Sequence, residues 1–503
     1  MSLLGIDIGT TGCKAGAFSE DGRMIASAYE EYTVHHPQPG WVELDAAQVW
    51  GQVRKTIRAV ASHTSHDPIK ALAVSSMGEA MVPVTLDRGI LGPSILNFDV
   101  RGAEYLPDLS ARLSNDRLYR INGNTLGNHY SLPKLKWIKR HQPDLYARAY
   151  KFLLWGSFVS FMLGAEPVVP HSLASRTLLF DINRADWSDE LIERAELDRA
   201  KLPDTVPAGM VIGAVSRVVA DDLGLPANVL IVAGGHDQCV SGVGCGVIDQ
   251  GRSMLGMGTF LCAMPVFRQR RDMVAMLSLG LNTEHHAAPG RYVSFIYNQG
   301  GAQLAWFRDT FAALEHQHAR QTGQDIYARL IAEMPAGPSR VMSLPHWSTG
   351  GPPEFVADSS GVLVGLRLET TRGEILKGML EAIAFDLKAC IERLPEAGIE
   401  ISDYRVVGGG SKSDTWIQLC ADILDRPLVR PKITEAGILG AAILAGVGAR
   451  VFRSLEAGVE TMVRLDRTFE PDSEMHGLYE RRFEKYKQLW PLMKDYVRGL
   501  GDG

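Results

Sequence analysis

The sequence predicts an α/β fold built in two halves of like construction. Two glycine-rich strand-turn-strand hairpins lie about half a chain apart, over residues 3–18 and 253–264. Around each, apolar runs alternate with residues at helical spacing, and strand-type segments end in polar or glycine residues. With 503 residues, 46% of them hydrophobic and 22% charged, the chain is long enough for at least two domains with substantial cores.

The elements follow in order. The first hairpin carries Asp7-Ile8-Gly9-Thr10-Thr11-Gly12-Cys13-Lys14 at its turn, and Glu20-Asp21-Gly22 leads into a third strand over 24–32. Asp45 caps a helix whose Val49, Val53, Ile57 and Val60 share one face. Residues 71–76 read as a buried strand. A second set opens with a strand over 228–233, broken at Gly234-Gly235, and a helix over 239–247. The second hairpin follows, with Gly258 and Thr259 at its turn. A long amphipathic helix then runs through Ile375, Met379, Ile383, Leu387, Ile391 and Leu394, and a strand over 404–407 enters Gly408-Gly409-Gly410. The final helix, from Met475 onward, belongs on the outside. No linker separates the halves, so the boundary is placed near residue 250, giving domains of 1–250 and 251–503.

Charge and composition narrow the partners. The net charge of −6 is spread without like-charge runs, which argues against nucleic acid or a membrane surface and for a small-molecule partner. The six cysteines lack zinc-site spacing and read as small core residues in a reducing cytoplasm. The longest apolar stretches, over 152–163 and 437–447, fall short of the roughly 18 residues that span a bilayer, and no signal-peptide pattern opens the chain. A cytoplasmic location is expected. His35-His36 and His285-His286 are adjacent pairs, not two ligands on one helical face, and read as solvated loop residues.

Chemistry concentrates at the turns. Bare glycine backbone and threonine hydroxyls suit close approach to phosphate, so each hairpin is a candidate half-site for one nucleotide. At the first, Asp7 is placed to orient Mg²⁺ and Lys14 to neutralise charge during transfer; the alternative is a tight β-turn with an exposed carboxylate. Gly234-Gly235-His236-Asp237-Gln238 ends an apolar strand, where open α/β sheets gather ligand-binding residues. Asp237 is placed to accept a hydroxyl proton as that oxygen attacks a γ-phosphoryl group; the alternative is a helix N-cap. Gly242-Val243-Gly244-Cys245-Gly246 lacks a full dinucleotide fingerprint and reads as close helix packing. The loop at Gly409, Gly410 and Ser411 is suited to adenine or ribose.

Taken together, these motifs resemble the FGGY family of carbohydrate kinases over nearly the whole chain. Asp-x-Gly-Thr-Thr, Gly-Gly-x-Asp-Gln and the Gly-Thr hairpin occur in the family's order. Residues 131–141, SLPKLKWIKRH, resemble its first signature, with His129 departing at the opening position. Gly361-Val362-Leu363-Val364-Gly365-Leu366, then Glu374-Ile375 and Gly378-Met379-Leu380-Glu381, resemble the second, with Gly378 in place of Ala or Ser.

The resemblance implies two ribonuclease-H-like domains of the actin and hexokinase type closing over an interdomain cleft. It implies an enzyme that moves the γ-phosphoryl group of ATP, with Mg²⁺, to a terminal hydroxyl of a sugar or polyol. Asp237 matches the catalytic base. Asp7, Thr10 and Thr11 match the first phosphate loop, Gly258 and Thr259 the second, and Gly409, Gly410 and Ser411 the adenosine segment. Asp7 and Asp237 are the expected metal ligands, and a homodimer is suggested by analogy.

For the acceptor, Met77, Gly78 and Glu79 fill the substrate loop but match neither the xylulose-kinase nor the glycerol-kinase pattern. Asn97-Phe98-Asp99-Val100-Arg101 resembles Trp-x-Asp-x-Arg, which makes Asp99 a candidate sugar contact and leaves Arg101 between substrate binding and a structural ion pair. Trp41 reads as packing. A ketopentose such as xylulose is the expected acceptor. The alternatives are L-fuculose, erythritol, glycerol or gluconate, or an acceptor-independent ATPase switch of the actin class.

Overall fold

The computed structural model describes residues 1–347, 359–498 and 500. Its two large sheets repeat one strand order. In the first, β1 (Ser2–Ile8), β2 (Gly12–Ser19) and β3 (Met24–Glu31) form an antiparallel meander, α1 (Ala46–Ala61) returns the chain, and β4 (Ile69–Ser76) lies parallel to β1. β5 (Val211–Ala214) and β6 (Leu230–His236) complete the order β5-β6-β4-β1-β2-β3, and α2 (Asp237–Gly244) follows.

The second sheet repeats the plan with β7 (Arg252–Met257), β8 (Phe260–Phe267), β9 (Ile296–Gln299), α3 (Arg372–Ile391), β10 (Asp403–Val407), α4 (Asp414–Leu424) and β11 (Leu428–Pro431). Helix α5 (Ala436–Gly448) and β12 (Leu465–Phe469) follow, and the order is β9-β8-β7-β10-β11-β12. In both sheets the third, second, first and fourth strands lie side by side, followed by a further parallel strand (β6 or β11) and an antiparallel strand at the far edge (β5 or β12). The last helix, α6 (Ser473–Arg498), packs its Tyr479, Phe483 and Tyr486 around Phe385 of α3.

Local chemistry explains the elements. Asp45 caps α1 by accepting from the N–H groups of Ala47 and Gln48. Val49, Val53, Ile57 and Val60 are buried against the first sheet, each worth ~1.5–3 kcal/mol relative to exposure. Thr371 and Glu374 form a capping box at the start of α3.

The two halves meet where α2 crosses α5. Helix α5 is buried from Ala436 to Gly446 because it is wedged between α2 and the first sheet. A Cβ on Gly440 would stand 1.9 Å from the Val240 carbonyl oxygen, and one on Gly244 1.9 Å from that of Ala436. Backbone therefore touches backbone at the crossing.

Several expectations are corrected. β6 does not stop at Gly234-Gly235 but runs to His236, with a register shift between Val232 and Gly235. A Cβ on Gly234 would lie 1.9 Å from the Val74 carbonyl oxygen, so this glycine permits close strand contact and is not a break. α2 ends at Gly244, and α3 ends at Ile391, leaving Leu394 in a separate 3₁₀ turn. The second histidine pair is not solvated: His286 is buried with Nε2 2.7 Å from the Val247 carbonyl oxygen, and His285 Nε2 lies 2.9 Å from that of Ile182. His35 and His36 are exposed as expected. All six cysteines are free, and among the described residues no helix is long and apolar enough to cross a membrane.

The crossing predicts an asymmetric response to added side chains. Gly440→Val should lower Tm sharply, by a loss of about 3 kcal/mol or more, because neither backbone can yield. Gly51→Ala, in the exposed face of α1 with open space around it, should gain ~0.5–1 kcal/mol. Thermal and urea unfolding read both, and a tolerated valine at 440 would disprove the close contact.

Candidate active site

The two hairpins come from different sheets and line a single cavity of about 380 Å³. Asp7 and Lys14 line it from the first, Gly256, Gly258 and Thr259 from the second, with Gly408 and the start of α5 closing it. A larger cavity of about 840 Å³ lies between α3 and the start of α6, lined by Lys388, Arg426 and Glu480. It touches neither hairpin, and the smaller cavity is the one that carries phosphate-type chemistry.

Pairing sets the first turn. Asp7 stands opposite Lys14 on β2 and Ser75 on β4, and Ser75 Oγ donates to its Oδ1 at 2.6 Å. Burial raises the Asp7 pKa, partly opposed by that hydrogen bond and by Lys14. The Gly9 N–H donates to the Gly12 carbonyl at 3.0 Å, and the Tyr32 hydroxyl also donates to that carbonyl, which fixes the turn. The Thr10 and Thr11 hydroxyls make no hydrogen bond with the described residues, so both are available as donors. Lys14 is bound in an ion pair with Glu435, at the entry to α5.

The second turn is closed by the Gly258 N–H donating to Phe260 O at 3.0 Å, and Gly258 and Thr259 are exposed. The glycine loop follows β10. Gly408, at φ +91°, lines the cavity, and Gly409 faces open space. A Cβ on Gly410 would meet the Trp416 ring at 2.6 Å, and the buried Ser411 Oγ donates to Gly408 O at 2.7 Å. The Ser411 hydroxyl thus closes its own turn.

Asp237 is the first residue of α2, one past the N-cap position, which is His236 and makes no side-chain cap. Its side chain keeps 29% of its surface exposed, and its Oδ1 accepts from the Gln238 N–H at 2.6 Å. Burial first, and then the charge of Asp7, push Asp237 up to about 8; Glu79 adds to the rise and Arg176 opposes it. His236 Nε2 lies 3.2 Å from the same oxygen, and burial holds that imidazole neutral.

Loop residues 77–79 sit beside Asp237. The Met77 N–H donates to Ile8 O at 2.9 Å, and Glu79 adopts φ +60°. Glu79 is buried, with Oε1 accepting from Arg176 Nε at 2.8 Å and also from Nη2. Arg176 Nη1 donates to Glu284 Oε1 at 2.6 Å, and its guanidinium lies 5.1 Å from the Tyr130 ring centre and 5.8 Å from that of Phe295. Sequence reasoning missed Arg176 and Glu284. Neither stands in a motif, and only the fold brings them to Glu79.

Asp99 is held in a buried ion-pair cluster. Its side chain is fully buried, and its carboxylate accepts from the Val42 and Arg101 N–H groups and from Arg101 Nε and Nη2. Arg101 also pairs with Glu43 and lies 4.0 Å from the Trp41 ring centre and 5.1 Å from that of Trp137. Of the two roles weighed for Arg101, the structural ion pair is the one realised. Trp41 packs, as expected, against this cluster.

The N-terminal domain of the FGGY family of carbohydrate kinases matches residues 2–244, and the family's C-terminal domain matches residues 256–449. The chain belongs to this family. Among its relatives are the xylulose kinase of Staphylococcus epidermidis, 28% identical over 504 residues that cover 99% of this chain and 98% of that protein. The autoinducer-2 kinase of Escherichia coli is 29% identical over 507 residues, covering 97% and 94%. The crystal structure of xylulose kinase from Rhodospirillum rubrum superposes with a TM-score of 0.86 at 25% identity, covering 99% of this chain and 100% of that one. The FGGY kinase described here is accordingly a phosphotransferase acting on a carbohydrate hydroxyl.

Both signatures of this FGGY kinase support structure at the places they occupy. Lys134, in the helix Ser131–His141, donates to the carbonyls of Asp99 at 2.6 Å and Arg101 at 2.7 Å. Glu381, in α3, accepts from the Ser339 N–H at 2.9 Å. Asp99→Asn should therefore act on folding, lowering stability by about 1–3 kcal/mol by weakening the pairing of the buried Arg101, which retains Glu43. Below its unfolding temperature the variant should keep its acceptor KM, and a raised KM with unchanged Tm would place Asp99 back at the substrate.

Proposed function

We propose that this FGGY kinase transfers the γ-phosphoryl group of ATP to a terminal hydroxyl of a sugar or polyol, with a ketopentose such as xylulose as acceptor. The observation that carries the reading is the position of Asp237 between two environments. Asp237 is near enough to feel the charges of Asp7, which lines the cavity shared by the hairpins, and of Glu79 and Arg176. A carboxylate there can take the acceptor proton as the oxygen attacks phosphorus. The full-length likeness to xylulose kinases supports the choice of acceptor.

On the donor side, the free hydroxyls of Thr10, Thr11 and Thr259 and the bare backbone at Gly258 and Gly409 are suited to phosphate and ribose oxygens. Asp7 and Asp237 fit Mg²⁺, a hard cation that takes one or two protein carboxylates and completes its shell with phosphate oxygens and water. Their mutual repulsion, seen in the raised Asp237, is what such a cation relieves. Bound Mg²⁺ would neutralise charge across the β- and γ-phosphates. Ser75 holds Asp7 in one orientation through its 2.6 Å hydrogen bond.

The raised Asp237 pKa yields linked predictions. As base it must be ionised, so acceptor kcat/KM should rise with pH up to about 8. Asp237→Asn should lower kcat by roughly 10²–10⁴-fold and flatten that profile. The folded carboxyl keeps a proton that the unfolded one, at 3.8, has released, so its contribution to stability falls as pH climbs from about 4 to about 8. The Asn variant escapes that loss and should melt higher than wild type at pH 8 but not at pH 4. Full turnover in the variant would remove Asp237 from catalysis.

A further inference from the structure

The acceptor side of Asp237 holds a buried charge cluster drawn from three distant segments. Glu79 comes from the loop after β4, Arg176 from the 3₁₀ turn Ser175–Thr177, and Glu284 from a short strand between β8 and β9. All three guanidinium nitrogens of Arg176 already donate to carboxylates, Nε and Nη2 to Glu79 and Nη1 to Glu284. The acceptors are less fully used. Glu79 Oε2 takes no hydrogen bond from the described residues, and Glu284 Oε2 is buried without a partner. Asn282 Nδ2 supplies only a second donor to Glu284 Oε1, at 2.8 Å.

Gly78 makes this arrangement possible. A Cβ at 78 would lie 2.9 Å from Arg176 Cγ and 3.3 Å from His236 Cδ2. The space a side chain at 78 would take is thus filled by an arginine arriving from another segment, which places a guanidinium beside Glu79.

The charge count decides what such a pocket accepts. Two buried carboxylates, Glu79 and Glu284, share the one guanidinium of Arg176, leaving an excess of one carboxylate in the cluster. The neighbouring His129 does not compensate, since burial holds it neutral. An incoming carboxylate would meet this excess of negative charge and an arginine already paired with two carboxylates, whereas hydroxyl groups can donate to the free carboxylate oxygens.

We propose that Glu79, Arg176 and Glu284 form the specificity element of the acceptor site, selecting neutral polyhydroxylated acceptors and rejecting aldonates and other anionic sugars. The inference rests on the kinase reading above. Arg176 is a positioning residue that fixes the two carboxylates, and the carboxylate oxygens are the groups that meet the substrate.

Steady-state kinetics with D-xylulose, erythritol and gluconate test it on wild type, Glu284→Gln and Gly78→Ala. Wild type should favour the better neutral acceptor over gluconate by about 100-fold or more in kcat/KM. Glu284→Gln, which removes one charge and loosens Arg176, should shrink that ratio by roughly tenfold through the acceptor KM, with the ATP KM within about twofold. Gly78→Ala keeps every charge but displaces Arg176, and should raise the neutral-acceptor KM about fivefold or more, which keeps the proposal testable if Glu284→Gln fails to fold. Preference of wild type for gluconate, or an unchanged ratio in folded Glu284→Gln, overturns the proposal alone. Transfer to none of the acceptors overturns the kinase reading and this inference with it.

Discussion

The contact on which the site depends is the crossing of α2 and α5. Helix α2 begins with Asp237, and α5 begins beside Glu435 and Gly437, so one packing event places residues from both halves of the chain around a common point. Because Gly244 and Gly440 remove side chains at the crossing, its spacing is set by main-chain atoms, which have little freedom to adjust. The same closeness reaches the cleft, where a Cβ on Gly437 would lie 2.8 Å from Asp7 Oδ2. Asp7 and Asp237 are thus held by backbone geometry, and the electrostatic coupling between them follows from the fold.

Charge is arranged differently on the two sides of Asp237. The phosphate side presents hydroxyls and glycine backbone, and its one lysine is balanced by Glu435. The acceptor side is a run of buried carboxylates around a single arginine. Desolvating so many like charges is costly unless each has a partner, and Arg176 serves two of them at once. Asp237 is paired with no cation among the described residues, and burial together with the charge of Asp7 raises its carboxyl well above the ordinary range, whereas Asp99 is paired with Arg101.

How much could be read from the sequence depended on the range of each interaction. The hairpins, the cap at Asp45, the face of α1 and the strand entering Gly408 are local patterns of period, turn chemistry and capping, and the structure follows them. The errors lie where a neighbour remote in sequence decides. Gly234 looks like a strand end until Val74 is beside it, and His286 looks solvated until Val247 accepts its hydrogen bond. Arg176 gave no local signal, because its significance comes from the space left by Gly78.

That space also explains why the acceptor loop fits no simple family pattern. A substrate loop need not carry its own cation if the fold delivers one from elsewhere, and here Arg176 is fixed from two directions by Glu79 and Glu284. Glu284 is reached through a segment bound to the first half, with the Thr283 N–H donating to Gly123 O at 2.7 Å and the Tyr119 hydroxyl to Leu281 O at 3.0 Å. The charge cluster at Glu79 therefore draws on residues from both sides of residue 250, and its arrangement depends on how the segments are assembled as much as on residues 77–79.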